Sequence, residues 1–223
     1  MTSTRVWLVR HAESADPSVF HGAESDVGLS PLGERQAAAA AGWFRALNPT
    51  AVVSSGMRRA RDTAGPIAVR CGVPHLLEPG LHERRVGGLS GTTFSSTSGP
   101  WAETVRRWSA GETAFTTPGA ESFDDLAVRV LPAFERAAAA RPGGRVVVVA
   151  HGVVCKVLLL SLLDGWGPRR WGELGRVGNL AVSELFARPG GGWDSGKLLT
   201  VPAPVEAVSG VAQTAGVTAK SEA

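Results

Sequence analysis

Cysteine is scarce: the 223 residues hold two, Cys71 and Cys155. Neither belongs to a CxxC pair, so they offer no disulfide framework and no thiolate metal site. Both read as buried free thiols of a reducing compartment. Long apolar runs are missing too. The longest, residues 157–163, contains Ser161 and falls far short of the ~20 residues that cross a bilayer. No signal peptide is visible, because the N-terminus passes straight into a short strand pattern. These absences predict a cytoplasmic protein without a membrane partner. Basic tracts are equally short. No Lys/Arg run exceeds two residues and the net charge is +3, which argues against a nucleic-acid partner and suits small anionic substrates. Neither HxH nor HExxH spacing occurs, so no metal site is expected. Charged residues make up 19% of the chain, below the usual ~25%.

What is present is a core. Hydrophobic residues reach 43%, enough for one large domain. Short apolar runs at residues 6–9, 51–54, 73–77 and 180–187 read as strands, as does 197–201. "RVVVVA" at 145–150 is the strongest strand signal, β-branched and continuous. Helical patterns fill residues 32–47, 57–70, 121–140 and 153–163. Ser30-Pro31 marks the start of the first and Gly72 the end of the second. The alternation of strands and helices predicts an α/β fold: a three-layer sandwich with a mostly parallel central sheet flanked by helices. Residues 1–201 form a single domain in this reading. An irregular cap insert spans about 79–119, with a short helix over 101–110 whose Trp101 and Trp108 read as cap packing. From residue 202 the composition loses periodicity, so 202–223 are expected to be a disordered tail.

In a parallel sheet the functional site lies beyond the carboxyl ends of the strands. Arg10-His11 falls at one such end and His151 at another. A third strand, 51–54, leads into "SGMRRARDTA", where arginines open a helix. Helix N-termini attract anions, and arginine forks match phosphate geometry. Two histidines, two or more arginines and a helix N-terminus read as a phosphate site. Neutral imidazole is a nucleophile near neutral pH, and a carboxylic acid such as Glu83 could protonate the leaving group.

"VRHAES" at 9–14 resembles the signature of the histidine phosphatase superfamily, which includes the cofactor-dependent phosphoglycerate mutases and many small phosphatases. The similarity continues through "LSPLGERQA", "SSGMRRARDTA", "LHERRVGGLSG", "PGAESF" and "VVVVAHGVV", in order, over roughly residues 5–187. The resemblance implies a phosphoglycerate mutase-like fold and a metal-independent phosphomonoesterase that needs no cofactor and acts on a small phosphorylated metabolite. His11 would be the nucleophile that becomes phosphohistidine, and Glu83 the general acid and base. Arg10 and Arg59, rather than Arg58, would bind phosphate together with His151, in its cationic form. His21 and Gly22 would touch substrate. Arg84, Arg106 and Arg107 are further candidate substrate contacts. The resemblance also allows a homodimer.

Blander readings stand beside these. Arg10 could cap a strand, Glu83 could pair with Arg84 or Arg85, and His82 reads as a rim residue. Arg58 and Arg61 read as solvated helix charges, His75 as structural, and Glu13 and Ser14 as supports. A phosphoglycerate mutase-type phosphoryl transfer is the alternative function, since "ERRVGGLSG" is similar to the mutase loop. Asp16-Pro17 and Val153 stand where mutases carry Trp-Asn and asparagine, and the insert is shorter. Those departures favour the phosphatase. A silent module that merely binds phosphorylated ligands is the third reading.

Overall fold

The computed structural model describes residues 3–95 and 98–210. Its centre is a six-stranded sheet of order β3-β2-β4-β1-β5-β6. Strands β1 (Arg5–Arg10), β2 (Ala51–Ser54), β3 (His75–Leu77) and β4 (Arg145–Ala150) run parallel to one another. Strands β5 (Val182–Ala187) and β6 (Trp193–Ser195) close one edge in the antiparallel sense. The central β4 is buried over its last five residues. β-branched side chains suit a strand covered on both faces.

Alternation along the strands splits the core. Trp7, Val9, Val52, Val147 and Val149 meet helices α1 (Pro31–Leu47) and α2 (Arg58–Cys71) on one face. Val6, Leu8, Val53, Val146 and Val148 meet α3 (Gly99–Ala110), α4 (Phe123–Ala138) and α5 (Gly152–Leu162) on the other. The result is the expected three-layer sandwich. Its helix ends follow local rules. The Ser30 hydroxyl accepts the Gly33 N–H to open α1, and Gly72, at φ 67°, closes α2 in a conformation that favours glycine. The cap insert is not a separate layer. Trp101 and Trp108 of α3 join the same apolar cluster as the sheet.

Two expectations change. Residues 197–201 form no strand of the sheet; β6 lies earlier, at Trp193–Ser195, and only an isolated bridge joins Val182 to Thr200. Residues 202–210 are ordered rather than a disordered tail. The sequence pattern gives five helices, yet a sixth, α6 (Ala203–Ser209), forms, with Val205 fully buried among side chains of α1. Ser209 Oγ accepts a hydrogen bond from Gln36 Nε2 at 2.9 Å. Burial of one apolar side chain and a side-chain hydrogen bond hold a segment that propensity alone leaves undecided. Residues 211–223 of the expected tail lie outside the described residues. Among the described residues, no helix is long and apolar enough to cross a membrane.

Candidate active site

Strand register brings the two histidines together. Arg10 of β1 lies opposite Ala150 of β4, so His11 and His151 leave neighbouring parallel strands at the same level. Their rings meet edge-on, with centroids 5.2 Å apart. The His11 ring hydrogen-bonds through Nδ1 to the carbonyl of Ala12 at 2.6 Å. A carbonyl only accepts, so Nδ1 carries the proton and Nε2 the lone pair. Nε2 has no hydrogen-bond partner among the described residues. The backbone around the ring is pinned on both sides. Ala12 N–H donates to Thr63 Oγ1 at 3.0 Å, and Asn179 Nδ2 donates to the His11 carbonyl at 3.1 Å.

His151 is fully buried and its Nε2 pairs with Ser55 Oγ at 2.9 Å, where β2 ends. Burial pushes both imidazoles well below the ordinary histidine range, and the positive charges of Arg59 and Arg10 push them further. Both effects favour the neutral ring, at His151 as at His11, whereas the resemblance implies a cationic His151. Arg10 donates to the Val177 carbonyl at 2.7 Å. Arg59, in the first turn of α2, donates to the carbonyls of Ser25 and Gly22, each at 2.9 Å. Burial lowers the pKa of both guanidinium groups, and the charge of Glu83 opposes that effect at both. Glu83 itself pairs with neither Arg84 nor Arg85 through side chains. Its Oε1 accepts the Arg84 backbone N–H at 2.8 Å, and its Oε2 faces the Val153 N–H at 3.4 Å, in the first turn of α5. Arg10, His11, Arg59, Glu83 and His151 thus converge.

Gly22 and His21 support this group more than they present themselves. Gly22 takes φ 57° and its carbonyl holds Arg59. The His21 ring reaches the carbonyls of Ala15 and Asp16 through Nε2 and Ser25 Oγ through Nδ1, so both ring nitrogens are engaged. His82 stands beside Glu83 on a cavity of about 240 Å³ shared with Ala23, Arg85, Glu121 and Arg129.

Three candidate substrate contacts are engaged by protein groups. Arg84 is fully buried. Its Nε donates to the Glu121 carbonyl at 2.7 Å, and its guanidinium lies 5.3 Å from the ring centres of both Trp101 and Trp108. It is the cation of an aromatic stack, and burial brings its pKa down to about 10. Arg106 and Arg107 are taken by carboxylates on the exposed side of α3. Glu103 binds both, and Glu112 binds Arg107 as well. Spacings of three and four residues from Glu103 make these pairs.

Four residues complete the site without having been singled out: Ser55, Thr63, Asn179 and Arg129. Arg129 grips both oxygens of Glu121 at 2.9 Å and the carbonyls of Gly80 and His82 at 2.8 Å, fixing the Glu83 loop from α4. Ser55 and Thr63 lie inside "SSGMRRARDTA", so a closer reading of that motif could have found them. Arg129 and Asn179 carry no local signal. Among the described residues, no group of three or more His, Cys, Asp or Glu is placed to hold a metal ion.

A six-stranded, mostly parallel sheet that gathers two histidines and two arginines at its carboxyl edge is a layered α/β enzyme fold of phosphoglycerate mutase-like form. Residues 6–196 match the family described as "Histidine phosphatase superfamily (branch 1)", and the chain belongs to that superfamily. It is 37% identical over 191 residues to a metal-independent phosphoserine phosphatase of Arabidopsis thaliana, covering 83% of this chain and 77% of that one. It is 33% identical over 189 residues to a bifunctional protein of Mycobacterium tuberculosis, covering 83% of this chain and 51% of that one. The chain therefore spans about half the length of that mycobacterial relative. The native structure of mycobacterial glucosyl-3-phosphoglycerate phosphatase superposes with a TM-score of 0.76 at 28% identity, covering 90% of this chain and all of that one.

Proposed function

We propose that this protein is a metal-independent phosphomonoesterase that works through a phosphohistidine on Nε2 of His11. One observation carries the reading: the Nδ1–H bond to Ala12 leaves a neutral ring with its Nε2 lone pair unpartnered, facing His151 in an arginine-rich pocket. In the first step Nε2 attacks phosphorus and the ester P–O bond breaks. Glu83, carrying a proton, gives it to the leaving oxygen. In the second step the Glu83 carboxylate takes a proton from water, whose oxygen attacks phosphorus as the Nε2–P bond breaks, releasing inorganic phosphate and returning the electron pair to His11. Arg10 and Arg59 stabilise charge on the equatorial oxygens. A phosphoryl dianion against His151 would favour its protonated form, which reconciles a neutral ring here with a cationic one during turnover.

The substrate is read as a small phosphorylated metabolite. The Arabidopsis relative is named for phosphoserine and the superposed mycobacterial enzyme for glucosyl-3-phosphoglycerate, so phosphorylated acids come first in a substrate panel. The mutase alternative needs cations for a second phosphate group. Arg84, Arg106 and Arg107 are committed elsewhere, which favours hydrolysis. The test is phosphate release, with EDTA present, from phosphoserine, 3-phosphoglycerate, sugar phosphates, nucleotides and an aryl phosphate. Isomerisation of 3-phosphoglycerate with a bisphosphate primer is followed in parallel. Release without isomerisation is expected; fast isomerisation with little release would establish the mutase instead.

The depressed His11 pKa sets a second expectation. The neutral ring is the nucleophile, and a lowered pKa keeps it neutral as pH falls. The acid limb of kcat/KM, which reports the free enzyme, should therefore lie below pH 6.5. A pH–rate profile for the best substrate checks it. A limb at or above the ordinary histidine value would show that burial does not govern the nucleophile.

A further inference from the structure

Helix α5 turns a lysine inward. Lys156 is 8% exposed, and its ammonium lies 4.6 Å from the centre of the Trp171 ring. It donates to the Gly175 carbonyl at 2.6 Å. Among the described residues no carboxylate pairs with it. A buried ammonium without a counter-ion is costly, and the phosphoryl-transfer steps above do not use it.

Gly175 begins a strap, residues 175–179, that runs along the site. At its centre the Val177 carbonyl accepts the Arg10 guanidinium at 2.7 Å. At its far end Asn179 donates to the His11 carbonyl, and the next residue, Leu180, donates its N–H to the Arg10 carbonyl at 3.1 Å. The Arg10 Nε is buried without a partner, so among the described residues the Val177 carbonyl is the hydrogen-bond acceptor that orients the fork. Where that carbonyl sits depends on what anchors the strap. Asn179 anchors one end and Lys156 the other.

We propose that Lys156 is a positioning residue: by tying Gly175 to α5 it fixes the strap and so aims Arg10 at the phosphoryl group. The proposal rests on the phosphate-binding role of Arg10 in the reading above. It also predicts an alkaline response. On its own helix Lys156 has Cys155, whose thiol burial pushes up, with His151, whose ring burial pushes down, just before the first turn. The elements packed against α5 bring Arg129 and Glu135 from α4, Arg10 from β1, and Arg170, Glu173 and Arg176 from the segment that follows α5. None of them moves the lysine; burial alone lowers it to about 8. As pH rises through that value the ammonium loses its charge, its attraction to the Trp171 face and its strong hydrogen bond.

The experiment compares wild type, Lys156→Arg and Lys156→Met from pH 6 to 10, each with its melting temperature. It measures kcat/KM and, by calorimetry, the Kd for inorganic phosphate. Misaiming a phosphate ligand costs on the order of ten- to a hundredfold. Lys156→Met should show that loss at pH 7 and no further fall above pH 8. Lys156→Arg, which stays charged, should restore most of the affinity and keep it past pH 9. Wild-type phosphate affinity in folded Lys156→Met, or an unchanged alkaline limb in Lys156→Arg, would overturn the proposal. Phosphate binding needs no turnover. If no ester is hydrolysed the phosphatase reading fails, while the phosphate affinities still judge the tie.

Discussion

Replacing His11 with alanine is expected to lower phosphate release by at least about four orders of magnitude, because the two-step route loses its acceptor. No neighbour can stand in. The His151 ring centre lies 5.2 Å away, fully buried, with its Nε2 held by Ser55 and its Nδ1 buried and unpartnered, and the arginines have no lone pair to offer. What remains is a charged pocket that still binds phosphate and leaves water to attack unaided. The fold should survive. Among the described residues the ring's one hydrogen bond runs to the adjacent Ala12 carbonyl, so the melting temperature should stay close to that of wild type. Acid-labile label from a phosphorylated substrate should appear on wild type and be lost in His11→Ala. Turnover retained by a folded variant would remove the phosphohistidine route.

Trp108→Ala should be the most damaging single change to stability outside the sheet. Trp108 is fully buried and donates from Nε1 to the Phe115 carbonyl at 2.8 Å. Its ring centre lies 5.8 Å from those of Trp101 and Phe123 and 5.3 Å from that of Trp171. Removing it opens a cavity that costs about 3–5 kcal/mol. The Arg84 guanidinium also loses one of its two aromatic faces, and a buried cation tolerates that poorly. For a chain of this size the loss corresponds to roughly 10 °C in melting temperature. Denaturant unfolding of the variant checks it, with Trp108→Phe recovering part of the loss. A cost under about 1 kcal/mol would mean that the insert collapses around the gap and that the stack is not what holds Arg84.

The sequence was most legible where one force dominates. β2 and β4 begin and end where apolar runs do, because a strand buried on both faces admits little else. α1 and α2 carry their own stop and start signals in Ser30-Pro31 and Gly72. Legibility failed where tertiary contact decides. β6 is three residues on an edge, and α6 is a short stretch of Ala, Val and Ser that Val205 pins to α1. The site followed the same division. Arg10, His11 and His151 stand at strand ends, so topology alone gathers them, and Arg59 and Glu83 came with their motifs. Arg84 adjoins Glu83 in the chain but points into the tryptophan stack, and charge says nothing about direction. The Glu103 pairs with Arg106 and Arg107 follow from helical spacing of three and four residues, which a charge count alone does not convey. Lys156 carries no sequence signal of its role, which only its bond to the Gly175 carbonyl reveals.

The strand order carries a consequence for synthesis. β1 and β2 are not neighbours; each pairs with β4, which lies between them. On the ribosome, Arg10, His11, Arg59 and Glu83 all emerge before the strand that assembles them. Until residues 145–150 leave the exit tunnel, the inner edges of β1 and β2 have nothing to pair with and the apolar faces of α1 and α2 have half a sheet to cover. Such a nascent chain exposes strand edges that invite association with other chains. β4 thus pairs the inner edges of both strands, while the other edge of β1 waits for β5.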